Sequence, residues 1–126
     1  MKKSYSLKGK DGFREVFKRG RRYTSGGIQL IVLRQKNTGE SAEKKNSIMR
    51  DRTTKIGISI NSRYGMAVER NKAKRRLRAL CGELMPVMEE GYCVVLRPDN
   101  NFKNVRYEHA QENIRRLFKK AGVLKQ

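Results

Sequence analysis

Residues 55–84 read KIGISINSRYGMAVERNKAKRRLRALCGEL, and within this run a strand pattern changes into a helix pattern. Three isoleucines alternate with small or charged residues from Lys55 to Ile60, which predicts a strand with one buried face. Residues 61–65 have the composition of a turn. From about Met66 the apolar residues recur at helical spacing, and Pro86 must end or kink the helix. We expect this strand and helix to organise the whole fold.

The inner face of the predicted helix is apolar. At about 100° per residue, four side chains form one stripe that can pack on a sheet. They are Ala73, Leu77, Leu80 and Leu84.

The outer face of the same helix carries positive charge and one amide. A helix that only faced water would gain little from cations in its first turns, where the macrodipole disfavours them, or from like charges four residues apart. The pattern therefore favours an anionic ligand. The candidate binding residues are Arg70 at the edge of the apolar stripe, then Asn71, Lys72, Lys74, Arg75 and Arg78.

Further elements are predicted on both sides of this unit. A short helix capped by Asp11 and stopped by Gly20 has apolar residues at helical spacing. Ile28 to Leu33 and Tyr92 to Leu96 are apolar runs typical of buried strands. A final amphipathic helix is predicted by the spacing of its apolar residues. The apolar positions of the two helices are Phe13, Val16 and Phe17, and Ala110, Ile114, Leu117, Phe118 and Ala121.

The order of these elements predicts an α/β or α+β sandwich in which helices pack against a mixed sheet. A chain of 126 residues is long enough for one core, so we expect a single domain over residues 1–126. Residues 36–54 are polar and have no periodicity, which predicts a mobile loop that faces solvent.

The charge balance narrows the class of partner. Lys and Arg number 31 against 12 for Asp and Glu, a net charge of +19. Such a surplus repels itself unless a polyanion compensates it, but RNA, DNA and an anionic membrane would all do so.

No run approaches the roughly 18 apolar residues of a membrane span, and the first residues lack the apolar core of a signal peptide. We expect a cytoplasmic protein that does not span a membrane.

Catalytic and metal-binding patterns are weak. Cys81 and Cys93 have no CxxC spacing and no nearby histidine, so we expect reduced, buried thiols and no metal site. His109 is the one histidine, and no pair of carboxylates beside it suggests general acid/base catalysis. We therefore expect a structural or surface role for His109 and assign no catalytic residue.

The run Gly65 to Arg78 closely resembles the Arg-Asn-Arg helix motif of the bacterial ribonuclease P protein family. The resemblance covers most of the chain, because four further blocks match in order and spacing. They are residues 13–17 with Gly20, residues 56–60, residues 92–96 and residues 107–120.

The resemblance implies an α+β two-layer sandwich with a mixed four-stranded sheet and an uncommon left-handed βαβ crossover, a topology shared with a ribosomal protein domain. It implies that the basic helix binds the ribonuclease P catalytic RNA. A cleft formed by Phe13, Phe17 and Arg63 would hold the 5′ leader of precursor tRNA. Catalysis would belong to the RNA and its bound magnesium ions, with no cofactor held by the protein and no protein partner required.

Three positions depart from the family pattern. Lys72 stands where arginine is common, which keeps the charge but loses bidentate geometry. Met66 stands where asparagine is frequent, and Ile31 where some members have an aromatic residue that could stack on a base. The 36–54 loop also looks longer than usual.

Alternatives remain open at this stage. From the pattern alone, Phe13 and Phe17 could be ordinary core residues. A ribosomal or other structural RNA-binding protein would share the charge and size. A membrane-surface protein and an independent nuclease are the remaining classes, and the last would cleave RNA without an RNA subunit.

Overall fold

The computed structural model describes residues 10–34 and 54–125. The elements are α1 (Lys10–Arg19), β1 (Arg21–Ser25), β2 (Ile28–Arg34), β3 (Lys55–Ile58), α2 (Ala67–Leu84), β4 (Tyr92–Pro98) and α3 (Tyr107–Ala121). Short 3-10 turns lie at Ser62–Tyr64, Met85–Val87 and Asn100–Asn104. None of the helices in these ranges is long and apolar enough to cross a membrane.

The four strands form one mixed sheet in the order β1-β2-β4-β3. β1 pairs antiparallel with β2, and β2 pairs antiparallel with β4. β3 runs parallel to β4, so α2 connects two parallel neighbours, as the predicted βαβ crossover requires. The α+β class with a mixed four-stranded sheet is therefore confirmed, and the handedness of the crossover stays an expectation from the resemblance.

The main core lies between the sheet and helices α2 and α3. The predicted stripe of α2 is buried throughout, and four of the five predicted residues of α3 are buried while Ala121 is half-buried. Pro86 lies in the 3-10 turn that follows α2, so the predicted end of that helix is confirmed. The strand residues that face this core are Ile28, Leu30, Val32, Ile56, Val94 and Leu96.

The other face of the sheet is covered in part by α1. Val16, Ile31 and Val95 are fully buried there and form a second, smaller cluster. Gly20 ends α1 as predicted, and its amide donates to the carbonyl oxygen of Val16 at 2.8 Å. A Cβ at position 20 would lie 2.5 Å from that oxygen and 2.7 Å from Cγ2 of Ile31. The glycine is therefore required by the close approach of α1 to β2.

Several predicted boundaries were wrong. α1 begins at Lys10, so Asp11 lies inside its first turn and is not the cap. β3 ends at Ile58, two residues early, although the Ser59 amide still donates to the Leu96 carbonyl at 2.9 Å. β4 extends beyond Leu96 to Pro98.

The predicted loop at 36–54 lies outside the described residues except for its last residue. Thr54 is only 2% exposed, so for this residue the expectation that the loop faces solvent was wrong. Its hydroxyl donates to the Glu89 carbonyl and accepts from the Tyr92 amide. These bonds fix the start of β3 beside the start of β4.

The sequence patterns predicted the other three strands but not β1. It is the outer strand of a hairpin whose two-residue turn is Gly26-Gly27, with φ of 56° and 81°. Only glycine adopts this left-handed conformation readily, and the Gly-Gly pair is a recognised hairpin signal. The exposed and half-buried residues of β1 hid the strand, because they lack the apolar alternation that marks its neighbours.

Candidate functional site

The outer face of α2 carries the predicted cations. Asn71, Lys72, Arg75 and Arg78 are exposed, whereas Arg70 and Lys74 are half-buried on one flank of the helix. The division into an apolar and a basic face is confirmed, because every residue of the apolar stripe is buried. The side chains of this basic face, Arg70, Asn71, Lys72, Lys74, Arg75 and Arg78, therefore stand on one helix rather than on separate loops.

The start of α2 is capped by a carboxylate. The Met66 amide donates to Oε1 of Glu69 at 3.2 Å. The Glu69 side chain therefore caps the helix, because the apolar side chain of Met66 cannot. This bond, followed by the charge of Lys103, lowers the pKa of the Glu69 carboxyl. Met66 is left 78% exposed. Glu69 is therefore ionised at neutral pH and holds the first turn of the helix.

Arg70 differs from the other basic residues of this face. Its Nε atom is shielded from solvent and has no hydrogen-bond partner among residues 10–34 and 54–125. Burying a donor without a partner costs about 1 to 3 kcal/mol. Arg70 is thus held at the edge of the helix packing, as its position beside the apolar stripe predicted.

Arg76 serves the core and not the outer face. Its Nη2 donates to the Val105 carbonyl at 2.7 Å, and its guanidinium carbon lies 4.7 Å from the centroid of the buried Phe102 ring. These contacts tie α2 to the segment that leads into α3. A cation–π contact of this kind contributes about 0.5 to 2 kcal/mol.

A second candidate surface lies on the face of the sheet that α1 covers. Phe13 and Phe17 are half-buried, and their ring centroids are 6.3 Å apart at a 33° tilt. Both pack against the cluster of Val16, Ile31 and Val95. The two rings are therefore partly packed against the sheet and partly exposed, and their role in a leader-binding cleft stays a prediction.

Arg97 is the cation that the structure brings to these rings. Its guanidinium carbon lies 5.2 Å from the Phe17 ring centroid. Arg22 also approaches, and its Nη2 donates to the Phe17 carbonyl at 2.8 Å. Arg63, the predicted cation of the cleft, is exposed in the 3-10 turn before α2, where its amide donates to Oδ1 of Asn61 at 2.9 Å.

Beside α1, the face of the sheet that α1 covers includes a position without a side chain. Lys55 and Gly57 of β3 pair with Cys93 and Val95, so they share the face on which Val95 packs against α1. Gly57 has no side chain to rise from the sheet, and Ile31 is fully buried beneath α1. Phe13, Phe17, Lys55 and Arg97 therefore lie on the same face of the sheet, and we refer to this surface as the aromatic strip.

The remaining residues singled out from the sequence are one histidine and two cysteines. His109 is exposed on α3, in agreement with a surface role. Cys81 is fully buried in the main core, which raises the pKa of its thiol to about 12, and Cys93 is half-buried on the other face. Within the described ranges, no three His, Cys, Asp or Glu side chains come together as a metal site would require.

Sequence comparison relates the chain to known proteins. A model of the family described as Ribonuclease P matches residues 1–122. The ribonuclease P protein component of Symbiobacterium thermophilum is 29% identical over 98% of this chain and 96% of its own length. That of Dictyoglomus turgidum is 30% identical over 98% and 93%.

Structure comparison leads to the same group. The RNase P protein of Staphylococcus aureus superposes with a TM-score of 0.77 at 20% identity, covering 98% of this chain and 100% of the other. That of Thermotoga maritima gives a TM-score of 0.72 at 21% identity, covering 91% and 96%. At these identities the likeness establishes the fold.

Fold and site together define a small α+β protein that presents a basic crossover helix on one side of its sheet and an aromatic strip on the other. Within that class, the match over residues 1–122 places the chain in the ribonuclease P protein component family. Membership gives it a general role in tRNA processing, as a protein component of an endoribonuclease and a partner in a ribonucleoprotein.

Proposed function

We propose that this chain binds the catalytic RNA of ribonuclease P through the basic face of α2 and the 5′ leader of precursor tRNA through the strip beside Phe13 and Phe17. It would thereby aid endonucleolytic removal of the leader. Phosphates would be held by exposed cations such as Arg75 and Arg78, and unpaired bases would stack on the partly exposed rings.

The observation that carries the proposal is the separation of these two surfaces. α2 packs on the sheet face that holds Leu30 and Leu96, whereas Phe17 packs on the face that holds Ile31 and Val95. Because the sheet lies between them, two RNA segments could be bound at once without competing for the same side chains. A protein that only coated RNA would have no need of an aromatic strip facing away from its basic helix.

The division of labour with the RNA is part of the proposal. The relatives are named protein components, which fits a chain that assists an enzyme without forming its catalytic centre. We assign hydrolysis to the catalytic RNA and the magnesium ions it binds, in the cytoplasm, with no membrane contact and no further protein required. Binding of the leader by this chain would raise the affinity of the complex for precursor tRNA.

The first test is reconstitution at low magnesium. If the chain helps to hold substrate, precursor tRNA should be processed faster by the catalytic RNA with this protein than without it, and the difference should shrink as magnesium rises. The protein alone should cleave nothing. Cleavage without the RNA would instead favour an independent nuclease.

The second test concerns the basic face. Replacing Arg75 and Arg78 together by alanine should weaken binding to the catalytic RNA by roughly tenfold, about 1.4 kcal/mol. It should also reduce the slope of log affinity against log salt by about 1.4 to 1.8, since each neutralised phosphate contributes about 0.7 to 0.9. The measurement is a set of binding titrations at several salt concentrations. Added protein should overcome the defect by mass action.

A matched control comes from α3. Arg115 and Arg116 are exposed there, so replacing both by alanine removes the same charge from another surface. An equal loss of affinity and slope in this control would mean that the overall charge, and not the face of α2, governs binding.

A further inference from the structure

A small cavity of about 170 Å³ lies on the flank of α2 that faces the 3-10 turn at Asn100–Asn104. It is separate from the strip beside α1, because α2 packs on the opposite face of the sheet. Its lining residues are Tyr64, Glu69, Lys72, Ala73, Arg76 and Lys103.

The charged groups of this cavity are held in place by contacts with the protein. Nζ of Lys103 lies 3.3 Å from Oε2 of Glu69 and 4.8 Å from the centroid of the Tyr64 ring. Arg76 is anchored by the Val105 carbonyl and the Phe102 ring. A ligand would therefore meet the Lys103 and Arg76 side chains already oriented, which lowers the entropy cost of binding at these two residues.

The charge balance favours an anion. Lys72, Arg76 and Lys103 supply three positive charges against the carboxylate of Glu69 in the lining and that of Asp99, which acts on Tyr64 from nearby. Lys72 is exposed and stands next to Asn71 on the same helix, so the cavity continues the basic face of α2 around its flank. Burial raises the pKa of the Tyr64 hydroxyl, which keeps that group neutral and adds no negative charge.

From this geometry we propose that the cavity binds one backbone phosphate of the catalytic RNA, held between Lys72 and Lys103. The inference rests on the proposed function, since it extends the surface of α2 that binds that RNA onto the Asn100–Asn104 turn. In the free protein the Glu69 carboxylate forms an ion pair with Lys103. On binding, the phosphate would replace this carboxylate as the partner of Lys103. Arg76 contributes positive potential from a fixed position.

The role of Glu69 allows a test in which two substitutions have opposite effects. Lys103→Met keeps the apolar stem over the Tyr64 ring but removes the charge, so affinity for the catalytic RNA should fall roughly two- to fivefold. The slope of log affinity against log salt should decrease by about 0.7 to 0.9. Glu69→Gln removes the competing charge while a glutamine at this position can still cap Met66, so affinity should rise by a similar factor.

The control is Lys120→Met, which removes one exposed lysine from α3. Circular dichroism and melting curves should show that these three variants are folded. If Lys103→Met behaves like Lys120→Met, or if Glu69→Gln weakens binding, the cluster only braces α2 and the inference is wrong. If the Arg75 and Arg78 double variant also binds normally, the proposed function itself fails, so the two failures are distinguishable.

Discussion

Replacing Leu77 by alanine is expected to lower the free energy of unfolding by about 2 to 5 kcal/mol, a large share of the stability of a small domain. Leu77 is 0% exposed in the middle of α2, where it packs into the core formed with β4 and α3. Truncation would leave a cavity that the surrounding helices and sheet fill only in part. The effect should be measured by urea unfolding of the protein without RNA.

Val68→Ala in the same helix is the matched control, because the Val68 side chain is 77% exposed. It should change the free energy of unfolding by no more than about 0.5 kcal/mol. A change below about 1 kcal/mol for Leu77→Ala would mean that the two faces of α2 have been assigned the wrong way round.

The faces of α2 could be predicted because a long helix repeats its pattern several times. Leu77, Leu80 and Leu84 return to one side at every turn, so an error at one position is corrected by the next. The same reasoning found the buried residues of α3. β1 offered no such repetition, since none of its five residues is fully buried and its turn signal is only two glycines.

The candidate site was predicted less completely than the fold, for a physical reason. Lys72 and Arg75 belong to one helix, and helical spacing alone places them on its surface. Lys103 lines the same cavity as Lys72 only because the 3-10 turn that carries Lys103, far along the chain, packs beside α2. Arg97 reaches Phe17 from another element in the same way. Contacts between distant elements leave no periodic trace in a sequence.

Arg97 nevertheless left a local signal. In β4 the residues on the α1 side are Cys93, Val95 and Arg97, so extending the alternation by two residues would have included the arginine. The predicted strand stopped at Leu96, before it. Arg63 was selected through the family resemblance, and its exposure in the turn before α2 leaves its role in the cleft a prediction.

Replacing Phe17 by alanine is expected to weaken binding of precursor tRNA to the assembled ribonucleoprotein by about 1 to 3 kcal/mol, the contribution of a base-stacking platform. The ring is half-buried, tilted beside Phe13 and approached by the Arg97 guanidinium, so an unpaired base could use both the aromatic surface and the cation. Mature tRNA lacks a leader and should bind almost as before. The measurement compares the affinity of both RNAs at saturating protein.

Two further variants separate stacking from packing at position 17. Phe17→Leu keeps apolar bulk against Val16 and Ile31 but removes the aromatic face, so it should fold normally and still lose affinity for precursor tRNA. Tyr107→Ala removes a 37% exposed aromatic residue from α3 and should leave the preference for precursor unchanged. Equal weakening of precursor and mature tRNA by Phe17→Leu would exclude a leader-binding role and make Phe17 a core residue. A chain with no preference for precursor at all would instead match a structural RNA-binding protein.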